Sequence, residues 1–465
     1  MTERLIVDQV VEGLSATVVV DRSATGVLLE ARFDLSGLPA LGPLLVGRPV
    51  EEVPPLVERL CGVCPVAHHL AGVAALEALG AVGPIPAEAT RVRRLLHYGS
   101  VLDMHATSFV SAGHREALAL RGLGKAAMAA AGSPGHFPVS AVVGGVAKAV
   151  AADAAQTCAR LVPAAIALAQ DLFARALRPQ TGGAEAGRNA AGVVSVGGAD
   201  GAGGDGFPGA DVALVDGIGQ LDLLGERLRA VTPDGQVIVA GASPDQWDEI
   251  LGPLGGLEAG SYRVGPVAQL RVAPVATPLA AKLQADWLDQ GAGAQAARAV
   301  LAAHCVEVIG QLVAGEGCGT SADAVLVKPA ARLATPSADG QLPVGVGWVD
   351  GARGLLVHRY QVDQSGLVER ALVLTPTEQN QGWLSWLLKT ALTNATELLP
   401  DHSDAAALTS EQGFVSRGLR KESDCGEETL WGRLEEAVRE ADPCLPCVLA
   451  PPGQMGLEIK TVVRN

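Results

Sequence analysis

Two short stretches carry the residues best able to do chemistry. In "ERLCGVCPVAHHLA", residues 58–71, Cys61 and Cys64 stand at C-x-x-C spacing with His68 and His69 just beyond. In "DPCLPC", residues 442–447, Cys444 and Cys447 repeat that spacing near the other end of the chain. Thiols so placed can form a redox dithiol, supply half of a metal site, or be two small buried residues. A zinc ribbon keeps its pairs about 15–20 residues apart within one knuckle. Nearly the whole chain intervenes here, which disfavours a local zinc module. A thioredoxin-like dithiol would need a βαβ neighbour for one pair and would leave the other unexplained. Burial without a ligand is common for single cysteines and less so for two matched pairs. The remaining alternative joins both ends around one soft-metal centre with four thiolates, each at about 2.3 Å. Such a centre lies deep in the subunit, where a low dielectric suits chemistry more than stapling.

Composition narrows the field. The chain has 465 residues, 48% of them hydrophobic and only 18% charged, with a mean hydropathy of +0.27. That is enough apolar matter for a large core and for a permanent partner interface. A net charge of −15 and 3% aromatics argue against a nucleic-acid ligand, which needs cations and stacking platforms. The N-terminal "MTERLIVDQVVEG" has no basic region leading into an apolar one, so no signal peptide is expected. "AAMAAAGSPGHFPVSAVVGGVA" is broken by Gly, Pro, Ser and His, so no membrane span is expected either, and the cytoplasm is the expected compartment. There, the eight cysteines point to metal or redox work rather than disulfides.

The elements that must position the thiols are legible in part. "SATVVVDRSATGVLLEARF" alternates around a "DRSATG" turn, a β-hairpin. In "RVRRLLHYGSVLDMHATSF", Val92, Leu95, Leu96, Gly99, Leu102 and Ala106 fall on one helical face. Further helices are predicted over 147–178, 279–289 and 293–314. Residues 189–212, rich in Gly, Ala and Asp, read as a surface loop rather than a phosphate cradle. A second hairpin is predicted at "GLLVHRYQVDQSGLVERALVL", turning at "DQSG". A last helix with Leu430, Leu434, Ala437 and Val438 on one face should stop near Asp442, because Pro443 disfavours the α region before it.

At this point the motifs resemble a known family. "RLCGVCPVAH" together with "DPCLPC" resembles the large subunit of [NiFe] hydrogenases. Weaker similarities lie in "VVEGL", in "FPVSAVVGGV" and in "ARG" at 352–354. "YRVGPVAQLRV" and "GQMGLEI" look most like the soluble, NAD-linked bidirectional group. The resemblance implies an α+β, mainly helical fold: one large-subunit domain over 1–465, with an N-terminal β layer about 1–35, a helical core, and a C-terminal mixed region about 320–465.

It also implies the ligands. Cys61, Cys64, Cys444 and Cys447 would bind nickel, with Cys64 and Cys447 bridging to an iron that carries CO and cyanide. Cys444 would take the proton of a cleaved H2 and Glu12 would relay it. Arg353 would hang over the open coordination position, held by Asp442. His68 would hydrogen-bond a bridging sulfur, His69 would be structural, and Glu58 would face a buried Mg²⁺. Asp103 and His105 match neighbouring positions. Electrons would leave to a partner iron–sulfur small subunit, because Cys158, Cys305, Cys318 and Cys425 form no C-x-x-C. Flavin- or NAD-binding diaphorase subunits and maturation factors are the further partners implied.

The chain also departs from the pattern. Where the family's second motif ends in a histidine, this chain has Ala450, which puts the Mg²⁺ site and the trimming of Pro451 to Asn465 in question. Ala352 replaces a proline, and Leu14 and Phe137 replace histidines. Two functions stay open: a working hydrogenase subunit, or a non-catalytic homologue that serves as a metallocentre assembly scaffold or an H2 sensor.

Overall fold

The computed structural model describes residues 16–24, 28–35, 41–80, 82–178, 206–251, 261–314, 342–396, 425–445, 448 and 457–464. Glu12, Cys447, Ala450 and residues 189–205 of the expected loop lie outside the described residues.

The architecture is α+β and mainly helical. Seven helices matter for the site: α1 (Val53–Leu60), α2 (Pro65–Leu79), α3 (Ala87–Ser111), α4 (Leu118–Ala130), α5 (Ala152–Ala176), α6 (Ala294–Ala314) and α7 (Cys425–Ala441). The face predicted on α3 is buried, with Val92, Leu95, Leu96, Leu102 and Ala106 in the main core. α6 is apolar nearly all round and packs on α3 and α5, as a core helix must. Helices α5 and α6 are long and apolar enough to cross a membrane by length and composition alone; 78% of the α6 window is buried within the protein.

The expected first hairpin is β1 (Ala16–Ser23) and β2 (Leu28–Asp34), antiparallel with Val18 opposite Phe33. Near the middle of the chain, β3 (Ala210–Val215), β4 (Arg227–Val231) and β5 (Val237–Ala242) form a sheet extended by Tyr262–Arg263. This corrects the loop expectation: Ala210, Asp211 and Val212 open a strand whose every residue is buried. A strand covered on both faces shows no alternation, so its apolar run merged with the glycine-rich stretch before it.

The second predicted hairpin is β7 (Gly354–Val362) with β8 (Val368–Leu374), and β6 (Val344–Gly351) pairs with β7 on its other side. Its turn is set by Asp363, whose Oδ1 accepts the Ser365 and Leu367 N–H groups at 2.7 and 2.9 Å. The final strand, β9 (Leu457–Arg464), runs parallel to β1, pairing Ala16 with Leu457 and Ser23 with Arg464. Nothing in the sequence pattern announced that pairing.

β6 lies directly on α2. A Cβ added to Gly347 would overlap Ala71 O and Ala75 N of that helix. Since α2 carries the thiol site at its N-terminus, Gly347→Ala should push the helix off the sheet. The expected cost is roughly 2 kcal/mol or more, read as a lowered thermal unfolding midpoint. An unchanged midpoint would mean that the contact is looser than described.

Candidate metal centre

The first cysteine pair forms the kink between two helices. α1 ends at Cys61, whose N–H reaches Val57 O at 3.4 Å, and Cys64 is the residue that opens α2, followed by Pro65 in the first turn. Proline there has no N–H to waste and a backbone angle already suited to the helix. The angle between α1 and α2 is held by Glu58, buried on α1, whose Oε2 lies 2.8 Å from His69 Nδ1 on α2. The other nitrogen of His69 donates to Ala141 O at 2.8 Å, so this histidine is fully engaged in structure.

The second pair arrives from the far end of the chain. α7 stops at Ala441, and Asp442, before Pro443, takes a φ of +45°. Among the described residues no other non-glycine has a positive φ. That conformation is uncommon outside glycine, and here it turns the chain so that Cys444 faces the first pair. Its N–H donates to Thr377 Oγ1 at 2.7 Å. The result is that Cys61 Sγ lies 3.0 Å from Cys64 Sγ, and Cys444 Sγ lies 3.6 Å from each. One ligand atom each from Cys61, Cys64 and His68 lies within 4.8 Å of the others, a grouping able to hold a metal ion.

Three sulfurs this close cannot all be thiolates unless a cation lies among them. The protons are accordingly shared unevenly. Hydrogen bonds from Cys444 and then Cys64 push Cys61 well below the ordinary thiol range. Cys444, then Cys61, then burial push Cys64 well above it. Cys444 is also raised, first by Cys61. A soft cation would replace those protons and relieve the crowding, and thiolate sulfur is the donor type of soft transition-metal sites.

Beside the sulfurs is a buried charge cluster. Arg353, in the turn between β6 and β7, donates from Nε and Nη2 to Asp442 Oδ1 at 3.2 and 3.0 Å, and from Nε to Asp442 O at 2.9 Å. Burial opposes its charge, but Asp442, then Cys444 and Cys64, hold the guanidinium firmly protonated. Its Nη1 has no hydrogen-bond partner among the described residues. Gly354 follows with a φ of +118°, and a Cβ there would crowd Gly265 N, so only glycine lets this turn press against the "RVGP" segment. Asp442 also accepts from Ser108 Oγ at 2.9 Å and has Arg298 Nε at 3.8 Å.

Arg298 does a second job. Its Nη2 donates to Arg439 O and Glu440 O at 3.1 and 2.6 Å, closing the end of α7, while Glu440 Oε1 accepts the Ala294 N–H at the start of α6. Each helix thus caps the other, and the loop bearing Cys444 is anchored to the core. His105 lies by Arg298, Asp442 and Arg353; burial, then Arg298, push it down to about 3, so it is neutral. Asp103 pairs instead with Arg121 of α4 at 3.0 Å.

A cavity of about 20 Å³ opens among Cys64, Cys444, Arg353, His97, Ser100 and Met104. It has room for about one water-sized molecule. His97 donates from Nε2 to Asp350 O at 2.9 Å, and burial pushes it down to about 4.

Three residues before Arg353, Asp350 is fully buried and burial raises it to about 7, against hydrogen bonds from Leu214 N–H and the Gln269 amide. The unfolded carboxyl ionises near 3.8, so between about pH 4 and 7 the folded state keeps a proton that the unfolded chain has lost. Stability therefore falls as pH rises through that window, by an amount on the order of 4 kcal/mol. Asp350→Asn removes the ionisation, and Gln269, whose Oε1 is unpartnered, can turn to accept from the new amide. The variant's unfolding free energy relative to the parent should rise steadily from pH 4 to pH 7 and level off above. A gap independent of pH would refute this.

Of the residues expected at the site, the structure brings together Cys61, Cys64, Cys444, Arg353, Asp442 and His68, with Glu58 one helix turn away on α1. Arg298, Ser108, Thr377 and His97 were missed. The signal for Arg298, Ser108 and His97 was polarity on long, largely apolar helices, whereas Thr377 lies in the short segment Pro376–Gln379 and gave none.

Comparison with known proteins follows the same lines. Residues 40–113, which include Glu58, Cys61, Cys64 and His68, match the family model described as nickel-dependent hydrogenase. The chain is 25% identical over 526 residues to the beta subunit of the NAD-reducing hydrogenase HoxS of Cupriavidus necator, covering 99% of this chain and 97% of that protein. It is also 25% identical to a polypeptide of the F420-non-reducing hydrogenase vhu of Methanococcus voltae, over 77% of this chain and 90% of that one. A crystal structure of an NAD⁺-reducing [NiFe]-hydrogenase in the H2-reduced state superposes with a TM-score of 0.64 at 25% identity, covering 92% of this chain and 95% of that one. The Ni-Fe-Se hydrogenase of Desulfovibrio vulgaris Hildenborough, at 15% identity and a TM-score of 0.58 over 91% of this chain and 94% of that one, shares the fold. Signature, length and fold are all similar to those of nickel-dependent hydrogenase subunits.

Proposed function

We propose that this chain is the catalytic large subunit of a cytoplasmic [NiFe] hydrogenase, which oxidises H2 reversibly and passes electrons to an iron–sulfur partner subunit. The observation that carries this is the convergence of Cys61, Cys64 and Cys444 within 3.6 Å beside a buried arginine with one unused donor. Cys447 completes the quartet by its spacing. When bound, a nickel–iron pair with CO and cyanide on the iron supplies the open position at which H2 is cleaved. The protein's own part is positioning and proton handling. Asp442 fixes Arg353 so that Nη1 is free to polarise a small molecule in the cavity, a donor aligned before the reaction begins. The cavity admits a diatomic and excludes bulk water. Cys444 Sγ takes the proton and Glu12 carries it onward. Glu58 retains capacity for Mg²⁺, although one of its oxygens is held by His69.

Electrons leave through the partner, and NAD bound to flavin-containing subunits is the acceptor suggested by the NAD-reducing relative. Ala450, where the motif has histidine, favours a second reading: a scaffold for assembling the iron group, or an H2 sensor. The test is nickel and iron content of the purified complex, infrared bands for CO and cyanide, and H2-dependent reduction of a dye or NAD. Both metals with turnover support the enzyme. Iron and its ligands without nickel or turnover would replace it with the scaffold.

A further inference from the structure

Behind the sulfurs lies a line of three buried aromatic groups that the reaction above does not use. His68 Nδ1 is 3.0 Å from His358 Nε2, and His358 Nδ1 is 2.5 Å from the Tyr360 hydroxyl. All three are essentially inaccessible to solvent. His358 and Tyr360 stand two residues apart on β7 and so project from the same face of the sheet. The line ends in the core at Tyr360, which belongs to the main hydrophobic cluster. A hydrogen-bonded row with no outlet cannot deliver protons to solvent. It can fix where they rest.

We propose that Tyr360 and His358 are positioning residues that lock His68 in the tautomer bearing its proton on Nε2, directed at the thiol cluster. The direction of the row follows from counting donors. The buried Tyr360 hydroxyl has no acceptor other than His358 among the described residues, so it donates to His358 Nδ1. Burial, then the neighbouring His68, keep His358 neutral, so it carries a single ring proton, which must be on Nε2. That proton is donated to His68 Nδ1, which is therefore bare. With Nδ1 committed, Nε2–H is the remaining donor of His68, whose ring lies within 4.8 Å of the Cys61 and Cys64 sulfurs. Reversing the row would strand the tyrosine hydroxyl in an apolar core. Outer hydrogen bonds of this kind orient the groups around metal sites and set which ring nitrogen is protonated.

The consequence for H2 chemistry rests on the function proposed above; the lock itself does not, because it is read on the ring nitrogens. The experiment is ¹⁵N NMR of histidine-labelled protein in its purified complex, assigned by a His68→Gln control. The expected result is a protonated-type shift at Nε2 and a bare-type shift at Nδ1 of His68. Tyr360→Phe, a loss of one oxygen, should make the His68 signals move toward a tautomer mixture. His358→Gln should preserve them, since its amide N–H can still donate to Nδ1, whereas His358→Leu should not. If the metal centre is loaded, the CO and cyanide bands should shift in Tyr360→Phe and His358→Leu but not in His358→Gln. Protonated Nδ1 in the parent, or indifference of the His68 shifts to both Tyr360→Phe and His358→Leu, would overturn the proposal whatever the metal content. Absence of nickel with the tautomer locked as described would instead count against the catalytic function alone.

Discussion

Cys444→Ser should purify as a folded protein that has lost its nickel. The substitution is nearly isosteric, and the backbone N–H of residue 444 keeps its bond to Thr377, so the unfolding midpoint should move by only a few degrees. The sulfur itself is the one contribution from the far end of the chain that the structure describes at the cluster, 3.6 Å from both Cys61 and Cys64. A hydroxyl is a hard, weakly acidic donor and does not replace a thiolate for a soft metal. Changes in the outer shell of metal sites already cost about 10–100-fold in affinity, and loss of a ligand should cost at least that. Nickel per chain should fall at least about tenfold, and H2-dependent dye reduction should fall below detection. Nickel at parental stoichiometry together with parental turnover would end the proposal.

Arg353→Lys should separate positioning from metal retention. Lysine preserves the charge but not the planar fork that makes two bonds to Asp442 and leaves Nη1 over. Asp442 keeps Ser108 and Arg298 as partners, so the loop bearing Cys444 should hold its place and nickel content should stay near the parental value. Turnover should drop about 10²–10³-fold, the range for removing one donor aligned to developing charge. A drop in nickel equal to the drop in rate would make Arg353 a structural residue. A rate within threefold of the parent would remove it from the chemistry.

What the sequence disclosed and what it concealed have physical causes. The amphipathic face of α3 and the "DQSG" hairpin were legible because periodicity and turn chemistry are local. Cys61, Cys64 and Cys444 were legible because matched spacings are rare by chance, although their meeting is a tertiary event. The sheet around β3 was not legible, since Ala210–Val215 is buried on both faces and alternates nothing. Arg353 was found through resemblance, and its burial against Asp442 could not be read from a hairpin sequence. His358 and Tyr360 escaped notice although their spacing was available: two polar aromatics at strand period in an apolar run are a signal of a shared, specific partner.

The pairing of β1 with β9 bears on how this polypeptide is completed. Because the strand at 457–464 stitches the last segment to the first, residues 16–23 would become an uncovered border if the tail beyond Ala450 were clipped away. An exposed border of that sort invites recruitment of a neighbouring chain. With the segment in place, the strand at 457–464 covers that border. Joining such distant pieces also carries a loop-closure cost that makes pairing across the whole chain intrinsically slow.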